Sequence, residues 1–202
     1  MDWGTPWFGV CMLVGFIGIP SSGKTTAAAQ TFVELKKMGV SAEFVVEIAR
    51  QHIAKKRQKT GVEQVVLDDK DQVEIMHEQL NAERLMNSPK TIVVSDSSPL
   101  NSLMYMGEYV KGGKFVKGYA QMALESYDLL VLCPEQRYAV DGDVNRLHGE
   151  SDRARLTAAR DELMLMVTKL RPDLAIFTMY DQGDGPLTLA YSLVDLFYEK
   201  NK

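Results

Sequence analysis

Cysteine is scarce in this sequence: Cys11 and Cys133 are the only two in 202 residues. Neither belongs to a C-x-x-C pair or to zinc-ligand spacing, which excludes a disulfide scaffold and a zinc finger and reads as two buried thiols of a reducing compartment. No apolar run approaches the roughly 18 residues that span a bilayer. Trp7 to Ile19 is apolar but lacks a basic flank and runs straight into a glycine-rich turn, so neither a signal peptide nor a membrane location is expected. Positive charge is not in excess: 23 Lys and Arg against 27 Asp and Glu leave a net charge of -4. That excludes the global basic field of a non-specific nucleic-acid binder, though not a local patch. Internal repeats and low-complexity tracts are missing. What is left is an ordinary composition, 46% hydrophobic and 25% charged. It suits a single cytoplasmic α/β domain over 1–202, with 1–11 either an N-terminal extension of the fold or an alternative-start artefact.

The informative stretch is Gly18-Ile19-Pro20-Ser21-Ser22-Gly23-Lys24-Thr25, which fits G-x-x-x-x-G-K-[ST] and follows the apolar run Met12 to Ile17. A strand that delivers the chain to a glycine-rich turn, with a helix leaving it, is the order a phosphate-binding loop requires. Gly18 and Gly23 let backbone N–H groups close around phosphate oxygens. Lys24 is placed to reach the β- and γ-phosphates, and the Thr25 hydroxyl to ligand Mg²⁺. The helix beginning near Lys24 adds the positive end of its dipole. Ser21, Ser22 and Thr26 complete the expected nucleotide site.

Beyond the loop, the pattern predicts a helix over 25–38, a buried strand over 44–46, and a helix over 48–57. Asp68 is expected to cap a helix over 69–86 whose Val73, Met76, His77 and Leu80 share a face. A strand over 91–94, helices over 100–110 and 114–126, and a strand over 129–132 follow. Residues 135–150 are polar and without period, and read as a short lid. Ser151 caps a long amphipathic helix, and a strand over 174–179 and a last helix close the pattern. Five short apolar strands alternating with helices predict a parallel sheet covered on both faces.

In such a sheet, ligands bind beyond the carboxyl ends of the strands. The loop, Glu47 and Asp96 all fall there. Asp96 has the placement of a Walker B acid, beside the Mg²⁺, which leaves Glu47 to accept a proton from an attacking hydroxyl; the two roles can also be exchanged. Arg50, one helical turn after Glu47, is expected to face the same pocket and position the acceptor. Within the lid, Arg146 is the first choice for a guanidinium over the γ-phosphate, with Arg153 and Arg155 as alternatives. His77 reads as a packed helix residue, and His52 and His148 have no metal-spaced partners.

With the loop, Glu47-Ile48-Ala49-Arg50, Asp96 and Asp141-Gly142 in place, the sequence resembles the P-loop kinases of the nicotinamide-riboside kinase type. That is the kinase domain of NadR-like proteins, a group that includes phage-encoded nucleotide and DNA-base kinases. The similarity runs from Met12 over most of the chain. It implies a P-loop NTPase kinase fold: a five-stranded parallel sheet in the order 2-3-1-4-5, ATP and Mg²⁺ as co-substrates, and a small hydroxyl acceptor. Gly18, Gly23, Lys24 and Thr25 match the nucleotide site; Glu47, Arg50 and Asp96 match the acceptor side, with Asp141 as a further substrate contact. The sequence departs from the family's Asp-Gly-x-Arg in placing three residues between Gly142 and Arg146.

Phosphoryl transfer is therefore the expected activity, ahead of a P-loop ATPase or GTPase and of a non-catalytic sensor. A switch GTPase needs Asn/Thr-Lys-x-Asp, and the nearest string, Thr168-Lys169-Leu170-Arg171, ends in Arg. The acceptor is expected to be a nucleoside or nucleotide, or a hydroxymethylated base in DNA. The phosphate-bearing versions, a nucleotide or a nucleotide within DNA, draw on the acid-free run of Arg50, Lys55, Lys56, Arg57 and Lys59. A nicotinamide-riboside-like nucleoside is the alternative, and a homodimer is compatible with either.

Overall fold

A computed structural model of the chain describes residues 10–63, 65–107, 111–134, 153–180 and 183–201. Five strands, β1 (Met12–Ile17), β2 (Ala42–Val45), β3 (Ile92–Ser95), β4 (Leu129–Leu132) and β5 (Ala175–Thr178), form one sheet in the order β2-β3-β1-β4-β5. Every pairing is parallel, with Met12 opposite Ile92, Val14 opposite Leu129, Val45 opposite Ser95 and Leu132 opposite Thr178. This is the expected P-loop NTPase order.

β1 lies at the centre, and all six of its residues are buried. Strand geometry sends alternate side chains to opposite faces. Met12, Val14 and Phe16 join one core with Ala27, Ala28 and Leu35 of α1 (Lys24–Lys37) and Leu189, Leu193 and Phe197 of α6 (Gly185–Lys200). Leu13 and Ile17 join the other with Met76 and Leu80 of α3 (Asp69–Met86), Ala120 and Leu124 of α4 (Lys114–Ser126), and Leu163 and Val167 of α5 (Arg153–Leu170). Helices on both faces explain why the central strands β1 and β4 are unbroken apolar runs. Burying one such side chain stabilises the fold by roughly 1.5–3 kcal/mol.

The outer helix α2 (Ile48–Thr60) buries only Ile53. Polar contacts tie it to α3: Lys56 Nζ donates to Asp71 Oδ2 at 2.5 Å, and His52 Nε2 lies 3.0 Å from Asp71 Oδ1. Asp68 caps α3 as expected. Its side chain accepts from the Asp71 N–H at 2.9 Å, and Asp71 returns the bond to the Asp68 N–H at 2.8 Å, a reciprocal capping box.

Three expectations are corrected. The predicted helix over 100–110 is a 3-10 helix over Pro99–Met104, capped by Ser98, whose hydroxyl accepts from the Leu100 N–H. Its six residues are all buried, so tertiary packing rather than helical period shapes it. β2 spans 42–45 rather than 44–46 and forms a sheet edge, with Glu43 exposed and Val46 past its end. His77 is exposed rather than packed, and bonds to Tyr119 Oη and Asn81. The buried stripe of α3 runs instead through Gln72, Ile75, Met76, Gln79, Leu80 and Glu83. Among the described residues, no helix is long and apolar enough to cross a membrane.

Candidate active site

Residues 18–25 connect β1 to α1 at the carboxyl edge of the sheet. Gly23 is the N-cap of α1 at φ 86°, a left-handed conformation that favours glycine. Gly18 has no room for a side chain: a Cβ there would lie 2.5 Å from Ser22 Oγ and 2.7 Å from the Cys133 carbonyl oxygen. By helix geometry, the first N–H groups of α1, at Lys24, Thr25 and Thr26, face the loop. Lys24 Nζ donates to the carbonyls of Gly18 at 2.8 Å and Ile19 at 3.0 Å, which holds its charge across the loop. Ser21 and Ser22 are buried in the loop, and Thr26 is exposed.

The two strand-end acids meet at Thr25. Asp96 follows β3, is 3% exposed, and bonds to the Thr25 hydroxyl. Its Oδ1 is buried without a hydrogen-bond partner among the described residues. Burial, then the nearby Glu47 carboxylate, pushes Asp96 up to about 6, against the bond from Thr25 and the charges of Lys24 and Arg50. Glu47 follows β2 and is the N-cap of α2, but its side chain makes no cap bond. Arg50 Nε donates to Glu47 Oε2 at 2.9 Å, while Arg50 Nη2 reaches Thr25 Oγ1 at 3.4 Å. Lys24, Thr25, Glu47, Arg50 and Asp96 are thereby brought together.

These donors fit a hard divalent cation. A hydroxyl, a buried carboxylate with an unpartnered oxygen, and a second carboxylate nearby form an oxygen set of the kind Mg²⁺ takes beside a nucleotide. Burial pushes the Cys133 thiol up to about 11, which disfavours its thiolate form.

Other expected site residues stand apart. Asp141, Arg146 and the 135–150 segment lie outside the described residues, as do Ser151 and His148. Arg153 and Arg155 are exposed in the first turn of α5. The basic run is partly committed, with Lys56 on Asp71 and Arg57 Nε on the Glu63 carbonyl at 3.0 Å. His52, expected to lack metal-spaced partners, meets Asp71 and Glu74 in space, their ligand atoms lying within 4.8 Å of one another. The Lys56 ammonium already occupies Asp71 there.

Sequence reasoning missed Asn101 and Gln79. Asn101 Oδ1 accepts from the Gly18 N–H at 3.3 Å, and its Nδ2 donates to the Phe16 carbonyl at 3.0 Å and to Ser97 Oγ at 2.8 Å. It pins the start of the loop from the next strand over. Polar residues on a core-facing stripe, such as Gln79 and Glu83 four apart on α3, were the available signal.

A strand, a phosphate loop and two acids in this arrangement define a P-loop NTPase-like nucleotide site. The family model described as an AAA domain matches residues 13–165, and the chain belongs to that family. Such membership supports nucleotide binding with hydrolysis or transfer of phosphate. No curated protein matches the chain. Among solved structures, the crystal structure of APE1195 aligns over 93% of this chain and 96% of its own, at 17% identity and a TM-score of 0.46.

Proposed function

We propose that the protein is an ATP- and Mg²⁺-dependent kinase that moves the γ-phosphate to a hydroxyl of a nucleoside- or nucleotide-type acceptor, as the NadR-like resemblance implies. The observation that carries this reading is the unequal setting of the two acids around Thr25. Asp96 is buried against the loop, whereas the Glu47 side chain keeps 22% of its exposure and pairs with Arg50. On this reading Asp96 serves the nucleotide side and the more exposed Glu47 serves the acceptor.

Thr25 and Asp96 would hold the Mg²⁺, which when bound supplies charge neutralisation at the phosphate oxygens. Lys24 leaves its loop carbonyls for the phosphates and stabilises the charge that moves onto the β–γ bridging oxygen as that bond breaks. Glu47 takes the proton of the acceptor hydroxyl as the new O–P bond forms, and Arg50 holds Glu47 in place. Proximity and electrostatics of this kind are most of what phosphoryl transfer needs.

The AAA domain family admits hydrolysis as well as transfer, so the test is acceptor dependence. Turnover of γ-labelled ATP is measured alone and with nucleosides, nucleotides and DNA. Label on a nucleoside or nucleotide is the expected outcome; equal turnover without any acceptor overturns the kinase reading. Because Lys56 is paired with Asp71, a DNA acceptor would draw its salt dependence from Lys55, Arg57 and Lys59.

A further inference from the structure

Glu47 occupies a position that normally has another duty. An N-cap side chain usually accepts a hydrogen bond from the second or third N–H group of its helix. The Glu47 carboxylate does not: it points to Arg50 instead. The orphan N–H of Ile48 is satisfied from another element, by Gln79 Oε1 of α3 at 2.9 Å. The same amide donates through Nε2 to the carbonyl of Val46 at 3.4 Å. One side chain thus grips the backbone on both sides of Glu47. Gln79 Nε2 also donates to Ser95 Oγ at 3.1 Å, and Ser95 precedes Asp96. Gln79 is 2% exposed, so water does not replace these bonds.

We propose that Gln79 is a positioning residue for Glu47: its buried amide holds the peptide groups on both sides of Glu47, the Val46 carbonyl and the Ile48 N–H, and so fixes the backbone from which that carboxylate reaches the pocket. This rests on the role given to Glu47 above. Gln79 acts by fixing the peptide groups at 46 and 48 and, through Ser95, the strand end at Asp96.

The experiment compares Gln79→Met, similar in volume but without an amide, with Gln79→Asn, whose amide falls one methylene short and which serves if the methionine variant does not fold. The amide exchange of Ile48, the Kd for ATP, and kcat and KM for transfer are measured in each, and again with Glu47→Gln. The expected result is Ile48 exchange at least about tenfold faster, kcat about tenfold lower with ATP affinity unchanged, and no further loss of kcat in the Glu47→Gln background. Unchanged Ile48 exchange overturns the proposal, as does a kcat loss that adds fully to that of Glu47→Gln. The exchange arm needs no acceptor, so failure of the kinase reading stays distinguishable from failure of this one.

Discussion

Lys24 holds its ammonium between two loop carbonyls, where it stabilises nothing in the hydrophobic core. Lys24→Ala is therefore expected to fold normally yet to lose turnover by about a hundredfold or more, the cost of about 3 kcal/mol of transition-state stabilisation. Steady-state kinetics beside a melting curve checks it; near-normal kcat in the folded variant would sink the assignment. Asp96 makes a second prediction, through pH. Its carboxyl holds a proton up to about 6, and a bound cation must displace that proton. Mg²⁺-dependent nucleotide affinity should therefore fall as pH drops below about 6, and calorimetry on Asp96→Asn should show weaker Mg²⁺ dependence without that pH step. If Glu47→Gln instead removed the Mg²⁺ response and Asp96→Asn left it intact, the two acids would have exchanged roles.

The element that organises the pocket is α3. Its N-terminus receives α2 through Asp71, its middle supplies Gln79, and its last turns bury Glu83. Burial works against ionising Asp71, but hydrogen bonds from Lys56, the Asp68 N–H and His52 outweigh it and hold the carboxyl well below the usual range. A depressed carboxyl stabilises the fold above its unfolded value and loses that stabilisation as pH falls into the acid range. Asp68→Ala breaks the capping box at its origin. The cost should be about 1 kcal/mol, read as a lower urea midpoint with an unchanged m-value. A midpoint equal to that of the native protein would mean the box contributes nothing measurable.

At the scale of the molecule, one buried polar network crosses the core behind the site. Tyr127 Oη and Ser95 Oγ both donate to Glu83 Oε1 at 2.6 Å, joining α3, β3 and the residue after α4. Glu83 Oε2 is buried without a partner among the described residues. Burial pushes the Glu83 carboxyl from 4.5 up to about 7, against the bonds from Ser95 and Tyr127. A raised carboxyl binds its proton more tightly folded than unfolded, so this group's contribution to stability falls as pH rises between those two values. The displacement corresponds to about 3 kcal/mol at about 1.4 kcal/mol per tenfold. Glu83→Gln keeps the accepting Oε1 and removes the titration. Its stability relative to the native protein should improve from pH 4 to pH 8, by denaturant unfolding at each pH. A difference that does not vary with pH would exclude Glu83 as the source.

Local chemistry alone determined the phosphate loop, the alternation of apolar strands with helices, the Asp68 cap and the placement of Glu47 and Asp96 at strand ends. Each of these is written in a window of a few residues, as a period, a glycine spacing or a capping pair. Only the tertiary structure decided which distant residues serve that frame. Asn101 is 83 positions from Gly18, Gln79 is 31 from Ile48, and Tyr127 is 44 from Glu83. No period or spacing along the chain encodes such pairs, because their proximity follows from sheet order and crossover packing. The same cause made Pro99–Met104 a buried 3-10 helix rather than a longer α-helix, and committed Lys56, one cation in a basic run, to Asp71 on the facing helix.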